Sequence, residues 1–128
     1  MDILQYDKHY NKNINLFNAD EAIILGNLFK DIYMSYQGFS NYCFQAMNKR
    51  EKLLFEIQKN NFCAHEINLY LDTHKANNEL CQLYHQYLRT SKELTKQYSA
   101  EYGPLNISQS NCNNSFEWIK GPWPWENK

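Results

Sequence analysis

The sequence has few of the features that mark a metal cluster, a disulfide framework or a phosphate-binding loop. Its four cysteines, at positions 43, 63, 81 and 112, are widely spaced, and there is no Cys-x-x-Cys pair. Zinc sites and disulfide frameworks usually place cysteines close together, so this spacing predicts reduced structural thiols, with intermolecular oxidation as the alternative. The four glycines form no Gly-rich phosphate loop.

The chain also has no excess of charge of either sign and no long apolar run. Thirteen basic and 14 acidic residues give a net charge of −1, which argues against a nucleic-acid partner. Binding of single strands by stacked aromatics would also need a basic groove. No window approaches the ~20 apolar residues of a membrane span. The first ten residues contain Asp2, Asp7 and Lys8 but no apolar run, so we expect synthesis in a cytoplasm without a secretory signal.

Aromatic residues, in contrast, are abundant. Ten tyrosines, seven phenylalanines and three tryptophans make up 16% of the chain. Aromatic side chains are enriched at protein interfaces because they bury a large area with few rotatable bonds. Composition alone leaves two interpretations open, an interaction protein or a small domain with an aromatic core.

The N-terminal part, residues 1–38, is predicted to be an arm that carries one short helix. Residues 1–17 are polar and rich in asparagine. Asn18 and Glu21 have the spacing of a capping box, and Gly26 is a natural helix end, so the helix should have about two turns. The following segment, residues 27–37, has no clean period and fits either a further helical turn or an extended arm.

Residues 39–105 are predicted to form two long antiparallel helices. We expect Ser40 to cap the first helix, with a weak point at Asn60-Asn61 where a kink could occur. Asp72-Thr73 should end the first helix and cap the second, which is predicted from about Ala76 to Ala100. The connection at His74–Lys75 is short, as in a coiled-coil-like helical hairpin. The apolar stripe of the first helix consists of Phe44, Met47, Leu54, Ile57, Ala64 and Leu71.

The second half of the first helix is apolar on two sides. Phe62 and Leu69 lie ~140° around the helix from the stripe that ends at Leu71. One side can pack on the second helix, and the other needs the N-terminal segment, the C-terminal tail or another molecule.

The tail, residues 106–128, consists of a Ser/Asn-rich linker followed by three tryptophans and two prolines within residues 116–125. The prolines favour an extended path. We expect the tail to pack as a strap over Phe62 and Leu69; docking into a partner's pockets is a compatible second role. The predicted fold is therefore all-α, a long antiparallel helical hairpin with a short N-terminal helix and an extended Trp/Pro-rich tail.

Three ordered motifs carry a resemblance to a known family. They are Leu69-Tyr-Leu-Asp-Thr-His74, Tyr102-Gly-Pro-Leu105, and Trp118 followed by Gly121-Pro-Trp-Pro-Trp-Glu126. In sequence and separation they resemble the CotJB spore coat proteins of endospore-forming bacteria, and we take residues 39–128 as the CotJB-like part. The family usually has proline after the histidine, where this chain has Lys75.

The N-terminal part resembles, more weakly, another small coat protein, CotJA. The similar residues are Glu21-Ala22, Gly26-Asn-Leu-Phe-Lys30 and Met34-Ser-Tyr36. Both prolines expected in that family are absent. The hypothesis is a fusion of a CotJA-like segment with a CotJB-like domain.

The resemblance implies a structural role in the inner layers of the spore coat after synthesis in the mother-cell cytoplasm. The residue spacings given below favour neither an enzyme nor a cofactor. Other coat proteins are the implied partners, including a manganese-catalase-like protein of the same operon, and self-association is possible. We expect Asp72, Thr73 and His74 to form the structural turn and cap. The expected packing or interaction residues are Phe62, Leu69, Tyr70, Leu71, Tyr102, Trp118, Trp123 and Trp125.

The sequence also offers two site hypotheses of a different class. A metal site would use residues such as His65, Glu66, Asp72, His74 and His85, but the sequence has no His-x-x-x-His or Glu-x-x-His spacing. Nucleophilic catalysis would need Cys63 with His65, on diverging helix faces, or Cys81 with His85, four residues apart. Neither is favoured. The alternative function is a redox or metal accessory protein that acts with the catalase-like partner.

Overall fold

The computed structural model describes residues 14–38, 40–112, 115–121 and 123–126. Three α-helices make up most of this part: α1, Ala19–Leu25; α2, Lys49–Leu71; and α3, Asn78–Tyr102. Short 3₁₀ turns occur at Lys30–Ile32, Ile107–Gln109, Glu117–Ile119 and Pro124–Glu126. The pairing of α2 with α3, joined by a short turn, confirms the predicted all-α hairpin with a short N-terminal helix.

The start and end of α1 are those the sequence predicts. The Asn18 side chain accepts a hydrogen bond from the Glu21 backbone N–H (2.8 Å), and Glu21 Oε2 accepts one from the Asn18 backbone N–H (3.3 Å). This capping box satisfies two otherwise unpaired donors. Gly26 ends the helix in the left-handed region, with φ 74°.

The predicted cap of the first long helix at Ser40 is wrong, because α2 begins eight residues later, after Asn48. The Asn48 side chain accepts from the Glu51 backbone N–H (2.9 Å), and Glu51 Oε2 accepts from the Met47 backbone N–H (2.8 Å). This local cap competes with Ser40 and is followed at once by good helix formers.

The pair Asn60-Asn61 does not interrupt α2, which runs without a break to Leu71. The Asn60 side chain, buried at 7% exposure, donates to the Glu56 carbonyl four residues earlier (2.8 Å). Asn61 accepts a hydrogen bond from Ser91 of α3. Both amides therefore have partners that are compatible with a continuous helix.

The turn between the long helices differs in one respect from the sequence prediction. Asp72 follows the last residue of α2 as its C-cap, as expected. Thr73 does not cap α3; the side chain of Asn77 does so, by accepting from the Leu80 backbone N–H (3.1 Å). Asn77 stands immediately before the helix, so it can reach the free N–H groups of the first turn.

Two apolar clusters lie along the hairpin. Near the turn, the buried members come from residues 14–33, here called the N-terminal segment, from α2 and from α3: Ala22, Leu28, Phe29, Cys63, Ile67 and Leu80. Near the opposite, open end, Leu53 and Ile57 of α2 pack with Tyr98 of α3. No helix among the described residues is both long and apolar enough to cross a membrane.

Candidate interaction surfaces

At the turn, the residues Asp72-Thr73-His74 fold around Tyr70. The Tyr70 carbonyl accepts hydrogen bonds from Thr73 Oγ1 (3.1 Å) and the His74 backbone N–H (3.0 Å). The His74 ring stacks on the Tyr70 ring, with centroids 3.9 Å apart and planes 7° apart. Phe29 also stacks on Tyr70, at 4.7 Å and 23°. Two rings cannot stack on one face, so Tyr70 lies between His74 and Phe29 and links the turn to the N-terminal segment.

The N-terminal segment, and not the tail, covers part of the second apolar side of α2. Phe62 is half-buried against the cluster that contains Ala22 and Leu28, whereas Leu69 stays 52% exposed. The predicted strap of the tail over Phe62 and Leu69 is therefore wrong. The tail leaves α3 at the open end, and the N-terminal segment packs on this face beside Phe62.

Polar contacts fix the same segment on the hairpin. Lys59 Nζ lies 2.6 Å from Asp20 Oδ1 and 2.8 Å from Glu56 Oε1, and its side chain is only 10% exposed. Burial lowers the pKa of Lys59, but the hydrogen bonds that its ammonium donates to Asp20 and Glu56 together outweigh burial, so the pKa lies above its usual value. The lysine is therefore charged at neutral pH. In addition, Glu66 Oε2 accepts from the Leu28 backbone N–H at 3.4 Å.

Cys63 lies under the N-terminal segment with no exposed surface. Burial raises the pKa of its thiol to about 11, although its hydrogen bond with Tyr87 acts in the opposite direction. A thiolate is the nucleophilic form of cysteine, so this thiol is poorly suited to catalysis at neutral pH. The neighbouring His65 is exposed, on a different face of α2.

The open end of the hairpin carries its own polar contacts. Arg50 Nε donates to Tyr98 Oη (3.0 Å), and the Tyr98 side chain is 4% exposed. Lys49 Nζ lies 2.9 Å from Glu101 Oε2. These pairs join the first turn of α2 to the last turns of α3, so they hold the two helix ends together.

The C-terminal tail folds against this open end. The Trp118 backbone N–H donates to Ser110 Oγ (3.0 Å), and the rings of Trp123 and Trp125 stack with centroids 5.3 Å apart. Together with residues 98–105 and Arg50, the three tryptophans line a groove of about 710 Å³. Trp125 is 77% exposed, and Tyr102, at 36% exposure, lies at the groove.

The described residues contain no group of three or more His, Cys, Asp or Glu side chains placed to hold a metal ion. Glu66 contacts the N-terminal segment, and His74 packs in the turn. His85 lies edge-on against Tyr84, with ring centroids 5.2 Å apart. The candidate ligands from the sequence are thus dispersed along the hairpin.

A comparison with protein-family models connects this architecture to a known family. The model of the CotJB protein matches residues 51–126, which include most of α2, all of α3 and the tail. The chain belongs to the CotJB family. Membership associates it with the bacterial spore coat. The comparisons with curated proteins and with solved structures give no significant match.

The CotJB match begins inside α2, so the N-terminal segment lies outside the matched part. The sequence-based boundaries at residues 38 and 105, and the likeness of the first part to CotJA, stay predictions. The site residues of the motifs fall into two places. Residues 62–74 form the turn and the surface beneath the N-terminal segment, and Tyr102 with the tryptophans forms the groove at the other end.

The role of Lys59 is not among the predictions from the sequence. A signal was present, since Lys59, Cys63, Glu66 and Tyr70 recur at spacings of four, three and four residues and so share one face of α2. A lysine and a glutamate on a face that also carries Cys63 indicate a buried polar contact. The partner of the lysine, Asp20, is 39 positions away and could not be identified from spacing.

Proposed function

We propose that this protein is a structural, non-enzymatic component of the spore coat that contributes to coat assembly through protein–protein contacts. The observation that carries the proposal is the aromatic surface at the open end of the hairpin, within the part that matches CotJB. Trp125 is 77% and Ile119 61% exposed, next to half-buried Trp118 and Trp123. Exposed tryptophans beside a groove are typical of binding surfaces, since they bury a large area on contact.

The proposed partners are other coat proteins, among them a manganese-catalase-like protein, and the proposed location is the inner coat after synthesis in the mother cell. The family relationship supports the coat context. The groove supports a protein partner because its lining combines aromatic side chains with the charged residues Arg50, Glu117 and Lys120. That mixture is common at interfaces that form after both partners have folded.

The test is coat incorporation of tail variants in sporulating cells. A chain truncated before Phe116 and the single variant Trp125→Ala should both be depleted from the assembled coat. Met47→Ala is the matched control, because Met47 is also highly exposed (89%) but precedes α2 and is not among the residues lining the groove. It should be incorporated like the wild type.

Normal incorporation and extraction of both tail variants would refute the proposed docking role of the tail. Thermal unfolding of the purified Trp125→Ala protein separates docking from folding, because loss of an exposed side chain should leave stability within about 0.5 kcal/mol of the wild type. Metal analysis of the purified protein tests the alternative function. A stoichiometric manganese or iron content would favour a redox or metal accessory role.

A further inference from the structure

The N-terminal segment, residues 14–33, forms a unit that is held together by its own backbone hydrogen bonds. From here on, the arm means these residues. The Phe17 backbone N–H donates to the Leu28 carbonyl (2.8 Å) and the Lys30 N–H to the Asn15 carbonyl (3.0 Å), which brackets α1 between two paired segments. The rings of Phe17 and Tyr33 meet edge to face at 5.6 Å. The internal contacts of the arm thus do not depend on the hairpin.

The arm fits the hairpin through complementary side chains. Ala22 and Leu28 have no exposed surface in the shared cluster, and Phe29 stacks on Tyr70. Around this apolar contact lie the ion pair of Asp20 with Lys59 and the hydrogen bond from the Leu28 N–H to Glu66. None of these contacts requires that the arm and the hairpin belong to the same chain.

The connection between the arm and α2 is longer than docking on the same chain requires. The linker comprises residues 34–48, and every described residue of it is exposed. Phe44, in its second half, contacts the ring of Phe55 in α2. From Lys49 to Glu66, the α2 residue that bonds the arm, the helix rises about 25 Å at 1.5 Å per residue. The ten linker residues that precede Phe44 span about 33 Å when extended, so the linker can also reach a neighbouring hairpin.

We propose that the arm of one copy docks on the hairpin of a second copy, so that copies of this protein are joined by exchanged arms. The family match begins after the linker, at residue 51, which makes the arm an addition to the part of the chain that matches CotJB. Exchange between copies keeps every contact of the docked arm, so it costs little free energy. It rests on the proposed function, because it supplies a contact between copies in an assembled layer.

The balance between docking on the same chain and on a neighbour depends on concentration. A tethered arm has an effective concentration on the order of millimolar near its own hairpin. Exchange should therefore be minor in dilute solution and substantial when the protein itself is at about 1 mM. A copy that gives its arm to one neighbour and receives an arm from another can extend a chain of copies, whereas reciprocal exchange closes a dimer.

The ion pair of Asp20 with Lys59 allows a direct test on the full-length protein. Unlabelled and ¹⁵N-labelled chains are mixed in denaturant, refolded together and concentrated to different levels. A carbodiimide then converts the close carboxylate–amine pair into an amide bond, and mass spectrometry reads the isotope of each cross-linked peptide. Exchange predicts peptides with Asp20 from one isotope and Lys59 from the other, in a share that rises with concentration.

The pair Lys49–Glu101, at 2.9 Å, is the internal control, because both residues belong to one hairpin and should give only unmixed peptides. Adding Leu28→Asp to the labelled chain gives a directional test. Its arm should no longer dock, so mixed peptides should join unlabelled Asp20 to labelled Lys59 and not the reverse.

If the wild-type chains give Asp20–Lys59 peptides of a single isotope at every concentration, and no mixed peptides, the proposal is wrong. The wild-type mixture decides this even if the Leu28→Asp chain does not fold. The cross-linking measurement uses the purified protein, whereas coat incorporation is measured in sporulating cells. Absence of arm exchange would therefore not contradict docking through the tail, and normal incorporation of the tail variants would not contradict arm exchange.

Discussion

Cys63 shows how burial determines the chemistry of a single residue in this protein. The side chain has no exposed surface, and burial raises the pKa of the thiol to about 11. Cys43 and Cys112, in contrast, are exposed, and Cys81 is half-buried. The four cysteines, which look equivalent in the sequence, should therefore react very differently.

We predict that iodoacetamide at pH 8 modifies Cys43 and Cys112 quickly and leaves Cys63 unmodified in the folded protein. Alkylation proceeds through the thiolate, and a raised pKa keeps the thiol protonated until the pH approaches about 11. Peptide mapping by mass spectrometry after timed quenching gives the rate at each position. The same reaction in denaturant is the control, in which all four cysteines should react at similar rates.

The pKa of Cys63 also has a consequence for stability. A pKa raised in the folded state means that the folded protein holds this proton more tightly than the unfolded chain. The contribution of this thiol to the free energy of unfolding is therefore fully present below the ordinary thiol pKa of 9.0 and is lost as the pH rises towards about 11.

In the alkylation experiment, rapid modification of Cys63 in the folded protein at pH 8 would contradict both the burial and the raised pKa.

For the helices and turns, the sequence was most informative where a signal was local. The capping box of α1, its end at Gly26 and the end of α2 near Asp72 all depend on residues within four positions. The cap of α2 was missed because Ser40 and Asn48 are both good caps, and only packing distinguishes a helix of 23 residues from a longer one. Phe44 illustrates this, since it packs on Phe55 from outside the helix.

Contacts between distant segments could not be predicted. The sequence indicated that Phe62 and Leu69 needed a cover but left three candidates, and the expected one, the tail, was wrong. The N-terminal segment covers Phe62 because it contributes Leu28 and Phe29 as well as a carboxylate for Lys59. The contacts of the segment with Lys59, Glu66 and Tyr70 join positions that are 38 to 41 residues apart, and a one-dimensional pattern contains no information about such pairs.

We predict that Leu28→Ala lowers the free energy of unfolding by about 3 kcal/mol, since it removes a fully buried side chain from a packed cluster. Urea unfolding measures the loss. Leu69→Ala is the matched control, because Leu69 is 52% exposed and its truncation should cost less than about 1 kcal/mol. Equal effects of the two variants would mean that the arm is not packed on the hairpin as described.

On the scale of the whole molecule, other parts of the chain meet the hairpin at two separate places. The arm packs near the turn, around Cys63, Ile67 and Leu80, whereas the tail lies at the open end, where its tryptophans and Tyr98 line one groove. Glu66, which contacts the arm, and Arg50, which contacts Tyr98, are 16 residues apart on α2, or about 24 Å along the helix. The two ends can therefore bind different neighbours without competing for the same surface.

This separation predicts that changes at the two ends have additive effects on stability. Tyr98→Phe removes the hydroxyl that accepts from Arg50 and should cost about 1 kcal/mol. Combined with Leu28→Ala, the loss should equal the sum of the two single losses to within about 0.5 kcal/mol, because the sites share no partner. Urea unfolding of the wild type, both single variants and the double variant completes the cycle. A coupling free energy above about 1 kcal/mol would show that docking of the arm and the structure of the open end depend on each other. In that case, an exchanged arm would also alter the surface that the tail offers to a partner.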